Sequence, residues 1–361
     1  MRPEDKDEVL NRLIERVMQS KLSKASSKTT QLDTVIGDTI YYERQRLEAE
    51  KKKRRIQALQ YWKKASKKLS SSSEEEKEKM LREMVNFFSQ EIVGNFNPKV
   101  YRFTTKVLPI ALSILLNAIS PKILFSHFPK LPDLSERLLI QGEVELVREL
   151  SQKGTIILVP THSSNMDSII IGFALYKMGL PPFTYGAGIN LFTNRVVSYF
   201  MNNLGAYKVD RKKKSELYKE VLKEYATATL ELGYHNLFFP GGTRSRSGGV
   251  EARLKLGLLG TGIRAYINNL KVRKEKPNLF VVPCTLSYQL VLEAEHLIED
   301  FLKETGKSRY IIEDDEFSQP RRILNFLGSI LSLDSRIYVT VGSAMDLFGN
   351  QIGRASCRER V

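Results

Sequence analysis

The sequence predicts an α/β domain preceded by a basic, helical region. Beyond about Glu136, short β-rich runs alternate with helical stretches of roughly 10–18 residues, the pattern of strands joined by crossover helices. Between two such runs, Leu217, Val221, Tyr225 and Leu232 recur at helical spacing within Ser215–Leu232, which marks one crossover helix directly. Before Gln90, by contrast, the chain is polar and rich in helix formers.

The candidate strands are Thr155–Val159, Phe183–Tyr185, Ala206–Val209, Asn236–Phe239, Leu279–Cys284 and Arg336–Val341. In the N-terminal region, Ser73 followed by Glu76 has the form of a capping box. The helix it opens carries Met80, Met84, Phe87 and Phe88 on one apolar face. Basic clusters at Lys51–Arg55, Lys63–Lys64 and Lys67–Lys68 suit either a solvated helix face or an anionic membrane surface.

With 361 residues and 42% hydrophobic content, the chain can bury a substantial core and holds room for a catalytic-size domain plus a smaller unit. The expected division is a basic helical region over 1–95, an apolar helical segment over 96–135 that is interfacial or core, and the α/β domain over 136–350. A net charge of +15 favours polyanionic partners without choosing among nucleic acid, lipid headgroups and phosphorylated metabolites. The two cysteines, Cys284 and Cys357, form neither a disulfide framework nor a metal-ligand cluster, so no metal is expected and a reducing compartment fits. The start of the chain mixes both charge signs and lacks an apolar signal core, so a cytoplasmic location is expected. The apolar stretch Val107–Ile119 falls short of the roughly 20 residues of a spanning helix, so any membrane contact is expected to be peripheral. Ile352–Val361 resembles a translated sequencing adapter and is not expected to belong to the fold; the natural end of the domain then lies outside this sequence.

The chemistry is concentrated at strand ends. The run Thr155–Pro160 leads into Thr161-His162-Ser163-Ser164-Asn165-Met166-Asp167, after which an apolar helix resumes. On one continuous helix His162 and Asp167 would stand about 140° apart, so they can pair only if Ser163–Asn165 form a loop that folds back. A paired histidine can take a proton from an alcohol while the carboxylate fixes its tautomer; alternatively, Asp167 merely caps the following helix. Two further strand ends carry arginines. Gly205–Arg211 (GAYKVDR) ends in Arg211, and Phe238–Gly248 (FPGGTRSRSG within it) places Gly242, Thr243, Arg244 and Arg246 in a glycine-rich loop. Exposed backbone N–H groups and arginine forks together make an anion site.

HSSNMD, GAYKVDR, FPGGTRSRSG and VVPCTLSY stand in the order and rough spacing of the four sequence blocks of the phospholipid/glycerol acyltransferase family, a resemblance that covers about residues 136–349. The continuation Ser287–Glu293 is closer to the glycerol-3-phosphate acyltransferase branch than to the lysophosphatidate branch. The resemblance implies a mixed, mostly parallel sheet flanked by helices. It implies transfer of a fatty acyl group from acyl-CoA or acyl-ACP to glycerol-3-phosphate or, alternatively, to lysophosphatidate, with no cofactor. His162 then corresponds to the family's base and Asp167 to its partner, while Arg211 and Arg244 correspond to the arginines that hold the acceptor phosphate, with Arg246 as a helper. One departure stands out: Gly241 occupies the position where the family carries a glutamate, which puts the acceptor's identity in question more than the chemistry. Glu251, nearby, is a candidate substitute.

Other residues have plainer readings. Ser163 lacks a nucleophile elbow, and Cys284 in an apolar strand reads as a packed small hydrophobe. Lys212–Lys214 suit the phosphate site, a membrane contact or a solvated helix start. Leu191, Phe192, Val196, Val197, Tyr199 and Phe200 suit an acyl channel or an ordinary core. A nucleic-acid-binding function rests on charge alone, since no recognised binding motif is present, and no nucleic-acid partner is expected. A catalytically silent lipid-binding relative, suggested by Gly241, has no need of the retained His162 and Asp167.

Overall fold

The computed structural model describes residues 3–26, 31–49, 55–116, 138–164, 166–193, 195–242, 254–288 and 336–353. Five helices come first: α1 (Pro3–Ser26), α2 (Leu32–Ala49), α3 (Arg55–Leu69), α4 (Glu74–Ile92) and α5 (Pro98–Leu116). The capping box forms as expected. Glu76 donates its N–H to the Ser73 hydroxyl at 3.3 Å, and Ser73 donates its N–H to the Glu76 carboxylate at 3.0 Å. Met80, Met84 and Phe88 are buried on the inner face of α4, whereas Phe87 lies at its edge, 41% exposed.

The remaining elements build the sheet. They are β1 (Leu138–Gly142), α6 (Val144–Lys153), β2 (Thr155–Pro160), α7 (Asp167–Lys177), β3 (Thr184–Gly188), a 3₁₀ turn (Ile189–Phe192), α8 (Arg195–Asn203), β4 (Ala206–Val209), α9 (Glu216–Glu231), β5 (Asn236–Leu237), α10 (Gly260–Lys271), β6 (Leu279–Tyr288) and β7 (Ile337–Val341). Seven strands form one sheet in the order β1-β7-β6-β2-β5-β3-β4. Strands β2 to β6 run parallel to one another. The pair β1 and β7 runs the other way, with β7 antiparallel to β6. The sheet is therefore mixed and mostly parallel.

β2 occupies the middle of this sheet, and its near-continuous apolar run TIILVP is what burial on both faces demands. Strand alternation divides it: Ile156 and Leu158 face α6 and α7 with Val282 and Cys284, while Ile157 faces the other way with Leu230, Phe238, Ala265 and Leu279. On that second side α9 has the N-terminal helices beyond it. Leu13, Val17, Ile36, Trp62, Leu81 and Phe88 join Leu217, Tyr218, Val221 and Tyr225 of α9 in one cluster. Each such large apolar side chain contributes about 1.5–3 kcal/mol on burial, which makes the helical layer an integral wall of the α/β domain. Enclosed on two sides, α9 has fully buried Thr227 and Thr229, whose hydroxyls bond the Lys223 and Ala226 carbonyls.

Backbone contacts tie the same layers. Gly205 donates its N–H to the Asn95 carbonyl and Asn97 donates its own to Asn203, both at 2.8 Å. A Cβ on Gly94 would stand 2.7 Å from the Ala206 carbonyl, so this close approach requires glycine.

The strand expectations differ from the structure at their ends. β5 stops at Leu237 because Phe239 turns out of the ladder and Pro240 has no N–H to donate. β3 continues through Gly186–Gly188, a run of low strand propensity, because its backbone pairs with β4 and Gly186 leaves room for the Tyr207 ring. β6 overshoots its expected end by four residues, to Tyr288, along β7. β1 escaped the sequence reading altogether. Among the described residues no helix is long and apolar enough to cross a membrane. Residues 117–137, with the rest of the apolar segment, lie outside the described residues. Ile352 donates its N–H to Ala344 and packs against the core, while 354–361 also lie outside.

Candidate active site

β2 ends in a corner that folds back on itself. Asp167, the first residue of α7, is fully buried. One of its oxygens, Oδ2, accepts from the Ser163 N–H at 2.7 Å and the Ser164 N–H at 2.9 Å, and stands 2.7 Å from His162 Nδ1. An oxygen already accepting from two amides has no proton to give, so His162 donates Nδ1–H and Nε2 is left with its lone pair. Ser164, itself buried, caps the turn by accepting the Met166 N–H on its hydroxyl at 3.1 Å. Asp167 does sit at a helix start, yet its carboxylate serves the loop before the helix and the histidine.

Two neighbours hold the imidazole further. The Phe239 ring stacks on it with centroids 4.1 Å apart and planes at 23°. Tyr288 donates its hydroxyl to Asp167 Oδ1. The corner is also stitched to β6: Thr161 donates its N–H to the Cys284 carbonyl at 2.9 Å, and its own hydroxyl accepts the Leu286 N–H at 3.0 Å. The His162 side chain remains 20% exposed, open on one side to solvent. Cys284 is buried, and desolvation together with the nearby Asp167 charge pushes its thiol pKa up to about 12, so it holds its proton at neutral pH.

Parallel strands bring the other motifs to the same sheet edge. β2, β5, β3 and β4 are consecutive and parallel, so the segments after Pro160, Leu237, Gly188 and Val209 all emerge together. The loop after β5 is next to the His162 corner, about one strand spacing of 4.8 Å away, whereas Arg211 follows β4, three spacings or about 14 Å across the sheet. Gly242 sits in the near loop with φ of +75°, a conformation that favours glycine, and donates its N–H to the Phe239 carbonyl at 3.0 Å. Gly241 lies inside that turn. Thr243, Arg244, Arg246 and Glu251 lie outside the described residues. Arg211 is solvent-exposed, and nearby protein atoms desolvate it in part, lowering its pKa from the ordinary arginine value.

The basic run after Arg211 divides. Lys213 joins neither a phosphate site nor a membrane: it is buried, with its ammonium 2.6 Å from the Glu91 carboxylate, 3.4 Å from that of Glu43 and 4.5 Å from the centre of the Phe88 ring. Those partners belong to α2 and α4. Asp210 shapes the loop by accepting the Lys212 N–H at 2.9 Å. Of the residues read as an acyl channel or core, Leu191, Phe192 and Val197 pack against Met201 and Ala206, while Val196 and Tyr199 stay exposed. His235 is structural: its Nδ1 accepts the Ile156 N–H at 2.9 Å, and burial lowers its pKa to about 4. His127 and His296 lie outside the described residues. Among the described residues no group of three or more His, Cys, Asp or Glu side chains is arranged to hold a metal ion.

A family profile described as Acyltransferase matches residues 141–287. Curated glycerol-3-phosphate acyltransferases are similar: that of Pseudomonas paraeruginosa is 25% identical over 261 residues, 72% of this chain and 27% of its own length. That of Pseudomonas syringae pv. tomato is 28% identical over 237 residues, 65% of this chain and 25% of its own. The chain thus spans about a quarter of the length of these relatives. Among solved structures, the 1-acyl-sn-glycerophosphate acyltransferase PlsC of Thermotoga maritima covers 71% of this chain and 89% of its own at 15% identity, with a TM-score of 0.30, too low to carry an argument. The family match runs from the end of β1 into β6 and contains the His162–Asp167 corner, so this part of the chain resembles an acyltransferase domain.

Proposed function

We propose that the chain transfers a fatty acyl group from a thioester of coenzyme A or acyl carrier protein to a hydroxyl of glycerol-3-phosphate. The observation that carries this reading is the His162–Asp167 pair, with Nδ1–H given to a buried carboxylate and the imidazole part-exposed. As the acceptor oxygen attacks the thioester carbonyl, Nε2 takes its proton and Asp167 stabilises the imidazolium. The tetrahedral intermediate collapses, the carbon–sulfur bond breaks, and the departing thiolate recovers the proton from His162. Arg211 and, from the loop after β5, Arg244 with Arg246 hold the acceptor phosphate, supported by the backbone N–H groups around Gly242 and Thr243. The glycerol-3-phosphate acyltransferase relatives support this acceptor over the alternative, lysophosphatidate.

The acylated product of this reaction partitions into lipid, and peripheral attachment to an anionic, cytoplasmic-side membrane follows. Phe103 and Val107 of α5, both exposed, support that contact beside Arg102 and Lys106. Sedimentation with anionic vesicles, reversed by salt, checks it; absence from the vesicle pellet at low salt contradicts it. The reaction is tested by incubating the purified chain with palmitoyl-CoA or palmitoyl-ACP and, in parallel, glycerol-3-phosphate, lysophosphatidate and dihydroxyacetone phosphate. Transfer to glycerol-3-phosphate above the other two supports the reading, and thioester consumption independent of every acceptor overturns it.

A further inference from the structure

We propose that Tyr288 is a positioning residue for the acid–base pair, holding the Asp167 carboxylate in the orientation that His162 needs. This deepens the reading of the site given above and rests on it. Tyr288 is the last residue of β6, four residues beyond Cys284, which pairs with the end of β2. The overhang matters because side chains alternate along a strand. Cys284 and Leu286 are buried on the face shared with α7, Thr285 and Ser287 are exposed, and Tyr288 falls in register with the buried pair. β6 therefore extends past the corner on the side where α7 begins, and its final side chain arrives at Asp167 rather than in solvent.

The carboxylate is held from two directions. Oδ2 is taken by the Ser163 and Ser164 amides and by His162, all from within five residues. Those bonds leave the carboxylate a hinge about its own Cβ–Cγ bond, which a donor on Oδ1 locks. The Tyr288 hydroxyl is that donor. Titratable groups facing Asp167 are His162 from the corner, and Tyr288 and Cys284 from β6; the Phe239 ring covers the far side of the imidazole without a charge of its own. Buried at Asp167, the hydroxyl also removes an unsatisfied acceptor, which a purely structural role would explain equally well. The two roles separate in their effect on His162.

Tyr288→Phe keeps the ring and its packing and deletes only the donor. With Oδ1 released, the carboxylate is free to turn about its Cβ–Cγ bond and the His162 Nδ1–H bond to Oδ2 is expected to weaken, which moves the Nδ1–H proton signal upfield. Nuclear magnetic resonance of the His162 ring nitrogens in the wild-type chain and the Tyr288→Phe variant reads this without any substrate. In the transfer assay kcat is expected to fall roughly tenfold with the acceptor KM changed less than about twofold. An unchanged His162 Nδ1–H signal in Tyr288→Phe overturns the proposal, as does a loss confined to thermal stability with kcat per folded molecule intact. A wild-type chain that transfers no acyl group overturns the proposed function instead, and the magnetic resonance comparison still decides the role of Tyr288.

Discussion

The corner that carries His162 and the loop that carries Arg211 are held in opposite ways. His162 is fixed locally: its carboxylate partner, the two amides behind that carboxylate and the turn that presents them all fall between His162 and Asp167. Arg211 sits on a loop fixed from outside, by Lys213 reaching Glu43 and Glu91, which are 170 and 122 residues away in the chain. Two cations two residues apart thus have different work, one buried against the N-terminal helices and one exposed at the sheet edge. The comparison teaches that a His–Asp pair can be set mainly within one strand-to-helix corner, with Phe239 and Tyr288 completing it, whereas placing the acceptor phosphate, on the proposed reaction, depends on the helical layer.

Breaking the outside anchor gives the largest expected effect on stability. Lys213→Ala takes the buried ammonium away from Glu43, which keeps Arg46 at 2.7 Å, and from the part-exposed Glu91, so the expected cost is at the lower end of the about 3–5 kcal/mol for losing one partner of a buried pair. Chemical denaturation measures it, and the surviving folded protein is expected to show a raised acceptor KM. Lys213→Met, which keeps the stem over Phe88, should recover part of the stability without restoring the ion pairs. A loss below about 1 kcal/mol for Lys213→Ala means that the loop is held by other contacts.

Acid gives the next effect and bears on the corner's support. His235 accepts the Ile156 N–H inside β2 and has its pKa lowered by burial from 6.5 to about 4. Between these values the unfolded chain binds a proton that the folded chain refuses. The stabilisation is therefore complete above about pH 6.5 and is lost as the pH falls toward 4, by about 3 kcal/mol in all. His235→Asn, which offers a non-titrating acceptor to the same amide, should flatten that part of the pH dependence in urea unfolding. An acid slope identical to wild type contradicts the assignment.

The smallest effect sharpens the comparison most. Arg211→Ala removes an exposed side chain and should leave stability within about 0.5 kcal/mol of wild type. Its expected effect is on the acceptor KM, raised about 10- to 100-fold as for loss of a charged hydrogen-bonding group, with kcat changed less. A fall in kcat at constant KM would place Arg211 in the chemistry and erase the distinction between the two regions.

The same contrast explains what the sequence disclosed. The corner was legible because its signal is local: an apolar strand, a Ser-Ser-Asn turn and the fivefold spacing of His162 and Asp167 fall in one window. The crossover helix α9 and the Ser73–Glu76 capping box are local for the same reason. Tyr288 was read within its block but given no role, since its contact with Asp167 spans 121 residues and depends on how far β6 outruns β2. Lys213 looked like one of three exposed lysines because nothing near it in sequence shows the burial that α2 and α4 impose. β1 was missed because Leu138–Gly142, with one β-branched residue, owes its strand conformation to pairing with β7 from the far end of the chain.

The central claim is that His162 is the base of an acyl transfer and that its corner does not need the imidazole in order to fold. Steady-state transfer of palmitate from palmitoyl-CoA to glycerol-3-phosphate by His162→Ala, alongside its thermal unfolding, tests both parts at once. The expected result is a kcat lower by about 10²- to 10⁴-fold, with the acceptor KM near wild type and the unfolding temperature within a few degrees. A folded His162→Ala protein that turns over at close to the wild-type rate contradicts the account.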